Sequence, residues 1–114
     1  MNTYCIATIV NHEEITSGIW KMELEASEIA QTARPGQFIQ LYPWDERNML
    51  ARPISLSSIS EKSVTIVYRV VGKGTRQLSK LQNNDRIRVM GPLGNGFALP
   101  DKTEKSIVVG GGLG

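Results

Sequence analysis

The sequence holds one cysteine and one histidine among its 114 residues. A disulfide within the chain is therefore impossible, and Cys5 reads as a small apolar residue on a strand. An iron–sulfur cluster or a structural zinc needs several Cys or His ligands, more than this chain supplies. A free thiol without bridges suits a reducing compartment, so a cytoplasmic location is expected. No apolar run approaches the ~18–20 residues of a membrane span. Met1-Asn2-Thr3 leads straight into an alternating segment, without the basic and long apolar regions of a secretory signal. No membrane partner is expected. An excess of one charge is also missing: 13 Lys and Arg stand against 11 Asp and Glu, for a net of +2. The basic residues are scattered, and Asp85 dilutes the one tight group, Arg86 and Arg88, so no nucleic-acid partner is expected.

Side chains for acid–base or nucleophilic catalysis are equally scarce. His12 is the sole imidazole and reads as a solvated turn residue at a strand end. No serine sits in a Gly-x-Ser-x-Gly context. Glu13-Glu14 reads as a wet turn and not as a catalytic carboxylate pair. No catalytic residue is assigned, and any chemistry has to come from a bound cofactor.

What is present is an ordinary globular composition, 40% apolar and 21% charged, in a chain long enough for one compact domain with a core. The dominant period is two. In Trp20–Glu25, Trp20, Met22 and Leu24 alternate with Lys21, Glu23 and Glu25, the pattern of a half-buried strand. Tyr4–Val10, Gln37–Tyr42, Ile54–Ile59, Ser63–Val71 and Asp85–Met90 read as further strands. Pro35-Gly36 precedes the third of the six. Turns are predicted over Asn11–Thr16, Ser60–Ser63 and Gln82–Asp85. Short strands at this spacing predict an all-β sandwich or barrel, and a closed barrel would also remove exposed edges.

Two segments break the period. Thr75–Leu81, with Leu78 and Leu81 three apart and Thr75 as a plausible N-cap, reads as one short helix. Ser106–Val109 is continuously apolar and runs into Gly110-Gly-Gly-Leu-Gly114, which predicts a strand buried on both faces followed by a phosphate-type turn. Residues 1–100 are thus read as a barrel. Residues 101–114 are read as a linker and the start of a truncated nucleotide-binding domain.

Three stretches have ligand-binding character. The start of the Thr75 helix combines free backbone N–H groups, Gly72, Gly74, the Thr75 hydroxyl and the charges of Lys73 and Arg76, which together favour an anion. An ordinary glycine-rich loop with a capped helix fits the same residues. Gly72-Lys-Gly-Thr75 is not a Walker A loop, because Gly74 follows the lysine. In Arg52-Pro-Ile-Ser55, Pro53 removes a ladder donor and forces an edge or a distortion. Arg52 offers a planar charged fork suited to phosphate, and Ser55 a hydroxyl. Gly91-Pro-Leu-Gly-Asn-Gly-Phe97 reads as a compact hairpin loop whose glycines permit close approach to a flat ligand.

Arg52-Pro-Ile-Ser55, Tyr68-Arg-Val70, Gly74-Thr75, Gly91–Phe97 and Gly110–Gly114 occur in this order and spacing. Together they resemble the ferredoxin reductase-type flavoproteins, and among these the electron transfer subunits of dihydroorotate dehydrogenase B. The resemblance covers the whole chain. It implies a six-stranded antiparallel Greek-key barrel that binds FAD, followed by a nucleotide-binding domain. It implies that Arg52 contacts the FAD phosphates, that Ser55 sits near flavin N5, and that Pro53 and Ile54 line the site. It also maps a second binding segment to Tyr68, Arg69 and Val70, and the pyrophosphate site to Gly74 and Thr75. Many relatives carry Tyr or Phe where Ile54 stands, so flavin stacking has to come from elsewhere, with Tyr68 one option.

The resemblance further implies an oxidoreductase subunit passing electrons between a [2Fe–2S] cluster and NAD through FAD. Its implied partner is an FMN-containing catalytic subunit that oxidises dihydroorotate in pyrimidine biosynthesis. The cluster and NAD belong to regions beyond this chain, which alone is expected to bind FAD without efficient NADH turnover. Two alternatives are a flavin subunit of a ferredoxin–NADP reductase or sulfide dehydrogenase complex, and a β-barrel interaction module without flavin.

Overall fold

The structure is a computed structural model that describes residues 3–42 and 52–95. Along the chain come β1 (Thr3–Thr16), β2 (Ile19–Glu25), α1 (Ser27–Thr32), β3 (Phe38–Tyr42), β4 (Arg52–Ile59), β5 (Ser63–Arg69), α2 (Lys73–Ser79) and β6 (Arg86–Leu93). The strands pair antiparallel and close into a barrel in the order β1-β2-β5-β4-β3-β6. This is the predicted six-stranded Greek-key barrel. The strand expected over residues 106–109, the linker and the boundary near residue 100 lie outside the described residues, as do Phe97 and Gly110–Gly114. Among the described residues no helix is long and apolar enough to cross a membrane.

Alternation builds the core. Ala7, Ile9, Met22, Leu24, Ile39, Leu41, Val64, Ile66, Ile87 and Val89 are fully buried and form one cluster. They arise at every second position because strand side chains point alternately to the two faces. Lys21 and Glu25 on the other face of β2 are exposed. Two turns form where predicted. Ser60 N donates to Ser63 O at 2.8 Å, and Asp85 N to Gln82 O at 3.0 Å, with Asn84 at φ 75°.

The first connection differs from expectation. Asn11–Thr16 is strand, and β1 runs on to a two-residue turn at Ser17-Gly18, with Gly18 at φ +75°. The run His12-Glu13-Glu14 reads as a turn because it is polar. In the fold it forms the far end of the β1–β2 hairpin, where Glu13 faces Lys21 across the ladder. An irregularity between Ile9 and Asn11 shifts the register there, as a β-bulge does.

The sequence pattern does not flag α1, a six-residue helix between β2 and β3. Ala26 N donates to Lys62 O at 3.0 Å, and Ile29 and Ala30 are buried in the core. Two apolar positions in so short a helix give no readable period.

The second helix is the predicted one, displaced. α2 begins at Lys73 with Gly72 as N-cap, so Thr75 stands at the third helical position and not at the cap. β6 pairs with β1 only as far as Thr8. Beyond that point the α2 connection runs beside β1, with Ile9 N donating to Asp85 O at 2.8 Å and Asn84 N to Ile9 O at 2.7 Å.

The expected Gly91–Phe97 hairpin loop is in part strand. Gly91, Pro92 and Leu93 belong to β6. Gly91 is buried, and a Cβ there would come within 2.8 Å of Ile39 Cγ2. Strand packing, not ligand approach, accounts for this glycine.

Candidate functional site

β4 starts in one ladder and ends in another. Its first half pairs with β3, from Leu41↔Arg52 to Phe38↔Ser55. Its second half pairs with β5, at Leu56↔Ile66, Ser58↔Thr65 and Ile59↔Val64. The β4–β5 ladder therefore stops at Leu56, and Arg52–Ser55 face the end of β5 without ladder bonds to it. Continued at the same register, Ile54 stands level with Tyr68 and Arg52 with Val70. Pro53 contributes to the break by lacking an N–H. Backbone groups on two facing edges that do not pair with each other are open to a ligand.

The side chains sort by face. Pro53 and Ser55 are exposed, and among the described residues the Ser55 hydroxyl has no hydrogen-bond partner. Ile54 is half-buried and packs against the core. Arg69 is exposed, while Val70 packs against the core and its N–H donates to Gly18 O at 2.8 Å.

The turn into α2 is built by Thr75. Its hydroxyl oxygen accepts from Val71 N at 2.9 Å and Gly72 N at 3.1 Å and donates to Gly72 O at 3.1 Å. That hydroxyl is saturated, so the Thr75 side chain shapes the turn and does not reach outward. The first helical bond runs from Arg76 N to Gly72 O at 2.9 Å. The amides of Lys73, Gly74 and Thr75 precede it and have no acceptor among the described residues. Three unpaired amides at a helix start, flanked by the exposed Lys73 and Arg76, match what a diphosphate requires.

The nine residues singled out in the sequence fall on three stretches: 52–55 on β4 beside the break, 68–70 at and just past the end of β5, and 74–75 at the start of α2, the next element along the chain. A separate open depression of about 480 Å³ lies on the other half of β4, between Pro35-Gly36 and Leu56–Ile59. None of the nine lines it.

One residue near the site is missed by sequence reasoning. His12 is half-buried, not a solvated turn residue. Its Nδ1 lies 2.7 Å from Leu81 O and its Nε2 2.8 Å from Tyr68 Oη. The ring is also 4.8 Å from that of Trp20. A lone histidine in a polar run carries no periodic signal, and the irregularity before Asn11 hides which face it takes.

Burial lowers the His12 pKa from its ordinary 6.5, against a smaller opposing effect of the Leu81 carbonyl. The unfolded chain then binds this proton more readily than the folded one. Stability from the neutral ring is complete above pH 6.5 and is lost as pH falls from there toward the folded value. Urea midpoints are expected to drop between pH 7.5 and pH 5.5, and His12→Gln to remove that drop. An unchanged drop in His12→Gln would assign it to other groups.

No family model matches the chain. Among curated proteins, the chain is 38% identical over 111 residues to the dihydroorotate dehydrogenase B (NAD(+)) electron transfer subunit of Clostridium acetobutylicum, covering 97% of this chain and 44% of that protein. It is 43% identical over 110 residues to the subunit of the same name from Streptococcus pneumoniae, covering 93% and 43%. Among solved structures, an NADH-dependent reduced ferredoxin–NADP oxidoreductase superposes with a TM-score of 0.77 at 27% identity, over 82% of this chain and 34% of that one. The ferredoxin reductase of carbazole 1,9a-dioxygenase shares the fold, with a TM-score of 0.75 at 18% identity over 91% and 33%. The chain is similar to the electron transfer subunits of dihydroorotate dehydrogenase B and shares the barrel fold of the ferredoxin reductases. It spans less than half the length of the curated relatives it matches.

The resemblance leaves Tyr68 as one option for flavin stacking in place of an aromatic at Ile54. Here Tyr68 is only 4% exposed and its hydroxyl bonds His12. Burial holds its phenol well above the ordinary range. Its ring has no face left for a flavin, so any part it takes in the site is played by its backbone.

Proposed function

We propose that this chain is the FAD-binding portion of an electron-transfer flavoprotein subunit. The observation that carries it is the break in the β4–β5 ladder, which leaves two facing strand edges unpaired, with the free amides of α2 on the stretch that follows β5. Arg52 binds the diphosphate from one side and the amides of Gly74 and Thr75 from the other. Pro53 and Ile54 form the wall between them, and Tyr68, Arg69 and Val70 form the facing edge. Ser55 directs its free hydroxyl to flavin N5. When bound, FAD supplies both one-electron and hydride chemistry, which no side chain of this protein offers.

The names of the relatives support a finer reading. The whole protein would pass electrons between a [2Fe–2S] cluster and NAD, through FAD, with a dihydroorotate-oxidising, FMN-containing catalytic subunit as partner. NAD would be held by a nucleotide-binding domain that starts near residue 101, and the cluster by cysteines that follow that domain. A second reading, the flavin subunit of a reduced ferredoxin–NADP oxidoreductase, is favoured by the 27% identity to that structure. Co-purification of the natural protein with its partner subunit separates the two.

A flavin titration tests the common core. The chain is expected to turn yellow with stoichiometric FAD, and absence of binding would remove the flavin reading. Ser55→Ala is expected to shift the flavin potential and reactivity while leaving affinity nearly unchanged. A large loss of affinity with unaltered redox behaviour would contradict the role given to Ser55.

A further inference from the structure

The stretch that carries α2 is held at both ends by one side chain. It leaves β5 at Tyr68 and Arg69, turns at Gly72, forms α2 and continues through Leu81 toward β6. A seven-residue helix is too short to hold itself, so its position depends on what grips it. Leu78 is buried in the core and supplies one grip. Val70 and Leu81 pack against that core, and Val70 N–H bonds Gly18 O; His12 on β1 adds a side-chain grip on each side, reaching Tyr68 Oη before the helix and Leu81 O after it. The rings of His12 and Tyr68 stack, with centroids 6.0 Å apart and planes inclined by 25°.

We propose that His12 is a positioning residue: its neutral ring clasps both ends of the α2 stretch, keeps the Gly74 and Thr75 amides where a diphosphate needs them, and releases them on protonation. This rests on the flavin reading above.

Hydrogen-bond chemistry fixes the protonation state. A carbonyl oxygen only accepts, so Nδ1 carries the proton and donates to Leu81 O. In a neutral ring Nε2 then holds a lone pair, and the Tyr68 hydroxyl must donate to it. A second proton on Nε2 turns that nitrogen into a donor. The hydroxyl proton of Tyr68 would have to turn away, and among the described residues Tyr68 has no other polar partner. A protonated His12 therefore leaves a buried donor unmatched or moves off Tyr68.

The surroundings favour the neutral ring. β5 presents the Tyr68 phenol, and β2 presents the uncharged Trp20 and Met22. The segment after α2 presents the Leu81 carbonyl, with the exposed Lys80 beside it in sequence. On β1, Glu14 stands two residues further along the strand, and its carboxylate accepts from Gly18 N at 3.0 Å.

FAD titrations of the full chain at pH 7.5 and pH 5.5 test the clasp. Wild type is expected to bind more weakly at the lower pH, by up to about tenfold, the worth of one hydrogen bond. His12→Phe is expected to bind weakly at both values with no pH step. His12→Asn, which keeps a donor toward Leu81 but does not titrate, serves where the Phe variant fails to fold and should likewise lose the step. Tyr68→Phe should shrink it, and Arg52→Ala should weaken binding at both values while keeping it. A wild-type step that survives unchanged in the His12 variants would overturn the proposal.

Amide hydrogen exchange over residues 73–81 in flavin-free protein gives a readout that needs no FAD. Corrected for intrinsic rates, protection should fall between pH 7.5 and pH 5.5 in wild type and be low at both in His12→Phe. Equal protection in all four samples would overturn the clasp whether or not FAD binds. Lost protection without any FAD binding would keep the clasp and remove the flavin reading alone.

Discussion

Ile39→Ala is expected to destabilise the barrel by about 2–5 kcal/mol, read from urea or thermal unfolding. Ile39 is fully buried on β3 and pairs with Ile54 across the ladder. Its truncation removes the Cγ2 methyl that crowds Gly91, where β6 and β3 fall out of register between Phe38 and Gln40. Gly91→Ala in the wild-type barrel is expected to cost about 1–3 kcal/mol by overpacking, because its new methyl would lie 2.8 Å from Ile39 Cγ2. In the Ile39→Ala background that methyl has room. The double variant should therefore be more stable than the sum of the two losses implies. Strictly additive losses would show that something other than Ile39 dictates a glycine at position 91.

Arg52→Ala is expected to weaken FAD binding by about 1.5–3 kcal/mol, roughly ten- to 150-fold, as one charge-assisted phosphate contact is lost. Arg52→Lys should recover only part of this, because an ammonium keeps the charge but not the planar fork. The difference between wild type and Arg52→Ala should narrow as salt screens the contact. Fluorescence titration of FAD at two ionic strengths measures both effects. Equal affinity of wild type and Arg52→Ala would take Arg52 out of the site, and with it the diphosphate grip across the ladder break.

His12 and Thr75 show how far local pattern reaches. Thr75 is legible as a helix-start residue, since Ser, Thr and glycine near a helical run are chemical signals confined to a few positions. That its hydroxyl is spent on Val71 and Gly72 follows from where the turn bends, which composition does not encode. His12 is harder. Before the irregularity, odd-numbered residues of β1 such as Ala7 and Ile9 are fully buried; after it, His12 lies opposite the buried Met22. One shifted register position moves every later side chain to the other face, and nothing in the residues themselves announces it.

The sequence by itself determined the strands, because period-two alternation is a direct imprint of strand geometry and survives any arrangement of the strands around it; alternation alone left sandwich and barrel open, and the resemblance pointed to the barrel. It also marked which short stretches have ligand-binding character: a proline that cannot pair, a cationic fork, and glycines before a helix. Only the tertiary structure decided that β4 changes partners at Leu56, that Gly91 answers to Ile39, and that His12 reaches over to Tyr68 and Leu81. Each of these joins residues far apart along the chain, and such contacts are set by closure of the sheet and the packing inside it, which no local window of sequence contains.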